Sequence, residues 1–245
     1  MAEQVNAAAR LVAILEAVAQ QPHERLIRAV WATVFDLPET ETGPLLDRLA
    51  AVLQLVQEAR QLVESVVGDQ NRDLHLQAFT KLNRALSLIN FESSANPLVP
   101  EVRGALEGIR FSADLVSRFD QGGVVNEDEL QALLAEVDAL LELLLESSLP
   151  AKVKELLVQR LEAVRAAILE IRLRGTEDLE EALDSLLGTV VRTKADVATQ
   201  KGKMFDRFGK LLDMGYKLVL LAEKLPPLAA PAIKLLKSAL HGDAA

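Results

Sequence analysis

The chain has no cysteine, and aromatic residues make up only 4% of its 245 positions. The first absence removes disulfide frameworks, thiol nucleophiles and Cys-ligated zinc or iron–sulfur sites, and it fits a reducing compartment. The second leaves Leu, Ala and Val to build the interior, because the chain is nonetheless 50% hydrophobic. That vocabulary suits helix-on-helix packing rather than sheets. Histidine is almost as scarce. His23, His75 and His241 are the three, and none has another His, Asp or Glu three or four residues before it. A helical metal-ligand pair is therefore not expected, and each histidine reads as a surface or terminal residue.

Long apolar runs are missing as well. No stretch reaches 18 uninterrupted apolar residues, and the nearest, Leu218 to Ile233, carries Glu223, Lys224 and three prolines. It makes a poor simple membrane span. Met1 to Arg10 is polar, holds Glu3 and has no basic n-region leading into an apolar core, so no secretory signal is expected. The expected compartment is cytoplasmic, with the inner face of the membrane as a peripheral site. Glycine-rich phosphate loops, G-x-S-x-G and H-E-x-x-H are absent, so neither a standard nucleotide site nor a familiar hydrolase centre is predicted.

What the sequence does contain is helical periodicity. Val5, Ala8, Leu11, Val12 and Leu15 predict a helix from about Gln4 to Gln20, and Pro22 opens a second in which Ile27, Val30, Trp31, Val34 and Phe35 form a stripe. Trp31 is expected to be a core anchor. Further helices are predicted over Leu45 to Val67, ended by Gly68-Asp69, over about Asn71 to Phe91, and from Pro100 to Phe119, stopped by Gly122-Gly123. Asn126-Glu127-Asp128-Glu129 has the form of a capping box. It opens a Leu-rich helix to Leu145, which a short link through Ser147-Ser148-Leu149-Pro150 joins to a helix over Ala151 to Leu173, an antiparallel hairpin. Gly175 should end that helix and Thr176 cap the next, whose first turns hold Glu177, Asp178, Glu180 and Glu181. The fold class is thus all-α, a multi-helix bundle of antiparallel hairpins in two subdomains, 1–95 and 96–190, with the loop from Asn90 to Pro100 as the boundary and 191–245 as a separate C-terminal segment.

That last segment differs in charge. Residues 192 to 237 hold 10 basic and 4 acidic side chains, a net of +6, whereas residues 1 to 191 carry a net of −14. Over residues 203 to 225 the chain repeats every seven positions. Lys203, Lys210, Lys217 and Lys224 share one register beside Met204, Leu211, Leu218 and Leu225, with Phe205, Leu212 and Val219 following. Phe208 widens the stripe. After Pro226-Pro227 a second amphipathic segment, Pro231 to Leu240, carries Ile233, Leu235, Leu236 and Leu240 with Lys234 and Lys237. Lysine stems bordering an apolar stripe lie along it while their ammonium groups stay in water, a geometry suited to an acidic groove or an interfacial membrane helix.

Two stretches, Ala29-Val30-Trp31-Ala32-Thr33-Val34-Phe35 and Leu161 to Leu187, the latter with Ile171-Arg172-Leu173-Arg174-Gly175 at a helix end, resemble parts of uncharacterised bacterial all-helical proteins. The resemblance implies a prokaryotic accessory protein and transfers no role to any residue.

The acidic clusters (Glu127 to Glu129; Glu136, Asp138 and Glu142; Glu177 to Asp184) read as helix caps or solvated faces rather than a carboxylate metal site. No cofactor, metal or small-molecule substrate is predicted, and the overall charge of −9 disfavours nucleic acid. The expectation is a non-catalytic interaction or assembly protein. Its docking residues would be Lys203, Phe205, Phe208, Lys210, Leu211, Leu212, Lys217, Leu218, Val219 and Lys224, set against a partner, another copy or the chain's own acidic body. The alternative is a membrane-active effector in which 203–240 meets an anionic bilayer.

Overall fold

A computed structural model describes residues 2–4, 6–67, 72–87, 91–119, 124–198 and 203–223. Among these, the elements in order are β1 (Ala2–Gln4), α1 (Ala7–Ala19), α2 (Ile27–Phe35), α3 (Thr42–Val66), α4 (Arg72–Ser87), α5 (Leu98–Phe119), β2 (Val124–Asn126), α6 (Glu127–Glu146), α7 (Ala151–Arg174), α8 (Glu177–Arg192), α9 (Lys194–Ala198) and α10 (Lys203–Glu223). The expected all-α architecture is what the structure shows. The chain divides into two compact units, Asn6–Gln121 and Met1–Val5 with Gly122–Ala245.

In the first unit, α1 starts later than its apolar spacing suggests. Asn6 takes the cap, its side chain accepting the Ala9 N–H at 2.8 Å, which satisfies one of the donors a first turn leaves open. The second helix likewise begins at Ile27 and not at Pro22. The N–H groups of Ile27 and Arg28 donate to the carbonyls of Ser93 (2.9 Å) and Phe91 (3.2 Å), and the Ala95 N–H donates to Arg25 (2.7 Å). A helix running back to Pro22 would turn the Arg25 carbonyl and these donors along its own axis instead. Trp31 is fully buried, as expected, and stacks on Phe35 with centroids 5.5 Å apart.

The same hydrogen bonds correct the expected boundary. Residues 91–98 are tied to the start of α2, and α5 packs against α1 and α4, so the loop from Asn90 to Pro100 lies inside this unit rather than between units. The helices α4 and α5 approach closely where Gly108 meets Ala78. A Cβ on Gly108 would stand 2.7 Å from the Ala78 Cβ. Gly108→Ala should therefore destabilise this unit by about 1 kcal/mol or more, despite better helix propensity, because one backbone must retreat. At Gly215 the added atom would meet only the side chain of Leu183, so Gly215→Ala should cost less, within about 0.5 kcal/mol of neutral. Denaturant midpoints of the two variants check the order.

The second unit is a ring of four helices in which α6 packs on α7, α7 on α8, α8 on α10 and α10 back on α6. Arg172 reaches Glu127 (2.7 Å) and Arg165 reaches Asp138 (2.9 Å), so α7 runs antiparallel to α6. Gly175, at φ 79°, stops α7 in a conformation that side chains disfavour. Along α10 the numbering climbs as that of α8 falls. The Lys194 ammonium lies 5.8 Å over the Phe205 ring, Gly215 faces Leu183, and the Tyr216 hydroxyl donates to Asp184 at 2.5 Å. The result is an up-down-up-down bundle with a Leu- and Val-rich core.

Asn126 caps α6 as expected, although its side chain takes the N–H of Asp128 and not that of Glu129. Thr176 stands at the start of α8 but makes no side-chain cap bond. The pairing of β1 with β2, Ala2 opposite Asn126, was not anticipated; the thinly apolar stretch after α8 reads as a hinge or a helix without a buried face, and the short α9 there does bury Val197. The predicted stops at Gly68-Asp69 and Gly122-Gly123, the Pro226-Pro227 break and the 231–240 segment lie outside the described residues, as do Leu225 and Lys224.

Candidate functional site

The heptad pattern of 203–225 has a direct structural counterpart in α10. Met204, Phe208, Leu211, Leu212, Leu218 and Val219 are all buried in the core of the second unit, and Phe205 is half-buried against it. The apolar stripe is therefore occupied by α6 and α8 of the same chain. The lysines divide. Lys210 donates to Glu136 at 2.7 Å, while Lys217 pairs with Asp213 one turn away on its own helix at 2.7 Å. The side chain of Lys203 lies outside the described residues.

Glu136 is the residue that sequence reasoning misplaced. It does not sit on a solvated face. Only 6% of it is exposed, and its two oxygens accept from Arg207 Nε (2.8 Å) and Lys210 Nζ (2.7 Å), one turn apart on α10. The signal was available in register, since Glu136 falls three residues after Leu133 and four before Leu140, on the buried side of α6. A carboxylate there needs partners, and the basic helix supplies two.

Burial alone pushes this carboxyl upward, but the hydrogen bonds and charges of Lys210 and Arg207 outweigh it and hold it below the usual carboxylate range. The pH consequence follows from the sign. A depressed folded value means that the clasp contributes fully above the unfolded value of about 4.3, and that the contribution disappears as pH falls through the lower folded value. The denaturant midpoint of this unit should thus drop in acid, and in Glu136→Gln the part of that drop owed to this carboxyl should be missing.

A second polar arrangement lies in the first unit. His75, expected at the surface, is 5% exposed, stacks on Phe111 with centroids 5.0 Å apart, and places Nδ1 2.9 Å from Ser112 Oγ. The serine hydroxyl donates to the Gly108 carbonyl at 3.0 Å, so it accepts from the imidazole. Activation of a serine nucleophile requires the opposite direction, with the hydroxyl proton aimed at the ring. The pair joins α4 to α5 as a buried polar contact.

Two open clefts lie on the second unit. One, of about 600 Å³, is lined by Leu149, Lys154 and Val158 at the α6–α7 turn. The other, of about 430 Å³, runs between α7 and α8 over Ala163, Ala166, Ala167 and Ala182, with Arg160 toward one end and Arg174 and Asp178 at the other. Among the described residues no three His, Asp or Glu side chains gather as a metal site, and no helix is long and apolar enough to cross a membrane. Comparison of the chain with protein-family models, curated sequences and solved structures gives no match.

Proposed function

We propose that the chain is a non-catalytic helical interaction and assembly protein whose basic helix α10 docks on its own acidic body. The observation that carries this reading is the clasp of Arg207 and Lys210 on the buried Glu136, with the apolar stripe of α10 seated beside it. A helix that follows an acidic chain and brings its own cations is held by hydrophobic burial and oriented by charge. Partner contact then falls to the outer faces of the helices, where Leu74, Phe111, Phe119, Leu145 and Leu169 are each more than half exposed.

Amide hydrogen exchange on the isolated full-length protein tests the reading. Residues 204–219 should be as protected as the buried turns of α6 and α8, and Arg207→Glu/Lys210→Glu should abolish that protection. Exchange of α10 at the rate of an unstructured segment would overturn it. The membrane alternative requires α10 to leave the bundle and turn Phe208, Leu211 and Leu218 toward lipid. Flotation with anionic vesicles at neutral pH should leave the intact protein unbound.

A further inference from the structure

We propose that the exposed ridge of α5 is an interface at which two copies of this chain pair, α5 against α5, antiparallel across a twofold axis near Phe111. The inference rests on the reading of the chain as an assembly protein, and it names a second copy as the partner for one of the outer faces. Gly104, Gly108, Phe111, Leu115 and Phe119 recur at three- and four-residue steps, so they share one face of the helix. That face is turned outward. Phe111 and Phe119 are 58% and 69% exposed, Gly104 is exposed, and Gly108 and Leu115 are half-buried. Two of the seven phenylalanines thus stand largely in water on one helix, whereas aromatic rings favour buried contact.

The ridge is uneven in a way that fits a copy of itself. Its N-terminal half is glycine, and its C-terminal half is large and apolar. When a second α5 is laid on it antiparallel, Phe119 comes over Gly104 of the second copy, Leu115 comes beside Gly108 of the second copy, and the two Phe111 rings meet at the axis. A Cβ added at Gly104 would meet nothing within 4 Å, so that space is open to a ring. From Gly104 to Phe119 the contact runs about 22 Å along the helix. Glycines on the ridge let the two axes approach toward the short end of the usual spacing of about 8–10 Å.

Charge selects the same arrangement. Glu107, Arg110, Asp114 and Arg118 form the next row on α5, alternate in sign, and are all exposed. Within one chain they pair along the helix as Arg110–Glu107 and Arg118–Asp114, and Arg110 also reaches Glu16 on α1. In an antiparallel pair this row faces itself. Glu107 then meets Arg118 of the second copy and Arg110 meets Asp114 of the second copy, so each cation is shared between carboxylates of both chains. The shape pairs and the charge pairs are centred within about two residues, or about 3 Å, of one another, so one register satisfies both. A parallel pair, or a slip of one turn, would set like charges together.

Sedimentation of the full-length chain tests the inference. A reversible dimer should form with a dissociation constant of about 1–100 μM. Gly104→Gln should weaken it at least about tenfold while raising the denaturant midpoint, because glutamine is the better helix former where nothing crowds its side chain. Glu107→Arg and Arg118→Glu should each weaken the dimer, and mixing the two variants should restore it, since only the mixed pair sets Arg against Glu at both ends. A chain that stays monomeric at about 0.3 mM would overturn the inference, as would any assembly indifferent to Gly104→Gln or to the charge reversals. Hydrogen exchange in α10 on the same samples separates the two claims. A protected α10 in a monomeric chain sinks the α5 interface alone, and an unprotected α10 in a dimer that responds as expected sinks the seating of α10 alone.

Discussion

Phe208→Ala is expected to remove about 3–5 kcal/mol from the stability of the second unit. Phe208 is fully buried, and it is the only aromatic residue among the buried residues of a core otherwise built of Leu, Val, Ile, Ala and Met. Truncating it loses the transfer energy of the ring and leaves a cavity that the surrounding leucines fill only in part. A domain of this size has only about 5–15 kcal/mol in total, so the loss is a large share. Phe205 supplies the internal comparison, since it is half-buried under Lys194 and its truncation should cost clearly less, about 1–2 kcal/mol. Urea midpoints for the two variants decide the matter. If Phe205→Ala proved the more damaging change, the face that α10 presents to α6 and α8 would be wrong.

Glu136→Lys should be the second severe change, at about 3 kcal/mol. It brings a third cation against Arg207 and Lys210 at a position where only 6% of the residue meets water, and a buried charge without a counter-charge must either be desolvated or force the helices apart. Glu136→Leu tests whether the clasp adds stability or only orientation. The stems of Arg207 and Lys210 reach the surface, with side-chain exposures of 35% and 62%, so both cations can return to water once the acid is gone. Leucine should then cost less than about 1 kcal/mol, in keeping with the behaviour of ion pairs replaced by apolar residues. Equilibrium unfolding of the three chains checks it, and equal losses for Lys and Leu would show that shape rather than charge dominates the site.

Much of this fold is written in the spacing of its apolar residues. The long helices α3, α5, α6, α7 and α8 follow their three- and four-residue periodicity closely, because each buries a continuous stripe whose length exceeds any local uncertainty. The departures arise where partners distant in sequence decide. The start of α2 depends on carbonyls of Phe91 and Ser93, more than sixty residues away. Strands β1 and β2 are three residues each and pair across some 120 positions, so neither carries a periodic signal of its own. The apolar stripe of α10 was plain in the heptads, but periodicity reports only that a face wants burial, not which surface covers it. Glu136 and His75 share a different difficulty. Each looks solvent-facing by residue type, and only its register on α6 or α4 shows that it points inward, toward Arg207 and Lys210 in one case and Ser112 in the other.

The scarcity of aromatic residues has a practical corollary in where the two rarest ones fall. Trp31, the only tryptophan, is sealed in the first unit, and Tyr216, the only tyrosine, lies in the second on α10. Burial, the hydrogen bond to Asp184 and the nearby charges of Asp184 and Glu180 hold the phenol above its ordinary range. This raised value supports folding below about pH 10 and loses that support as pH rises through the folded value. Indole fluorescence therefore follows one half of the chain, and tyrosinate absorbance in alkali follows the other. Whether the halves melt together or in turn can be read from the coincidence of two intrinsic optical signals, with no label attached.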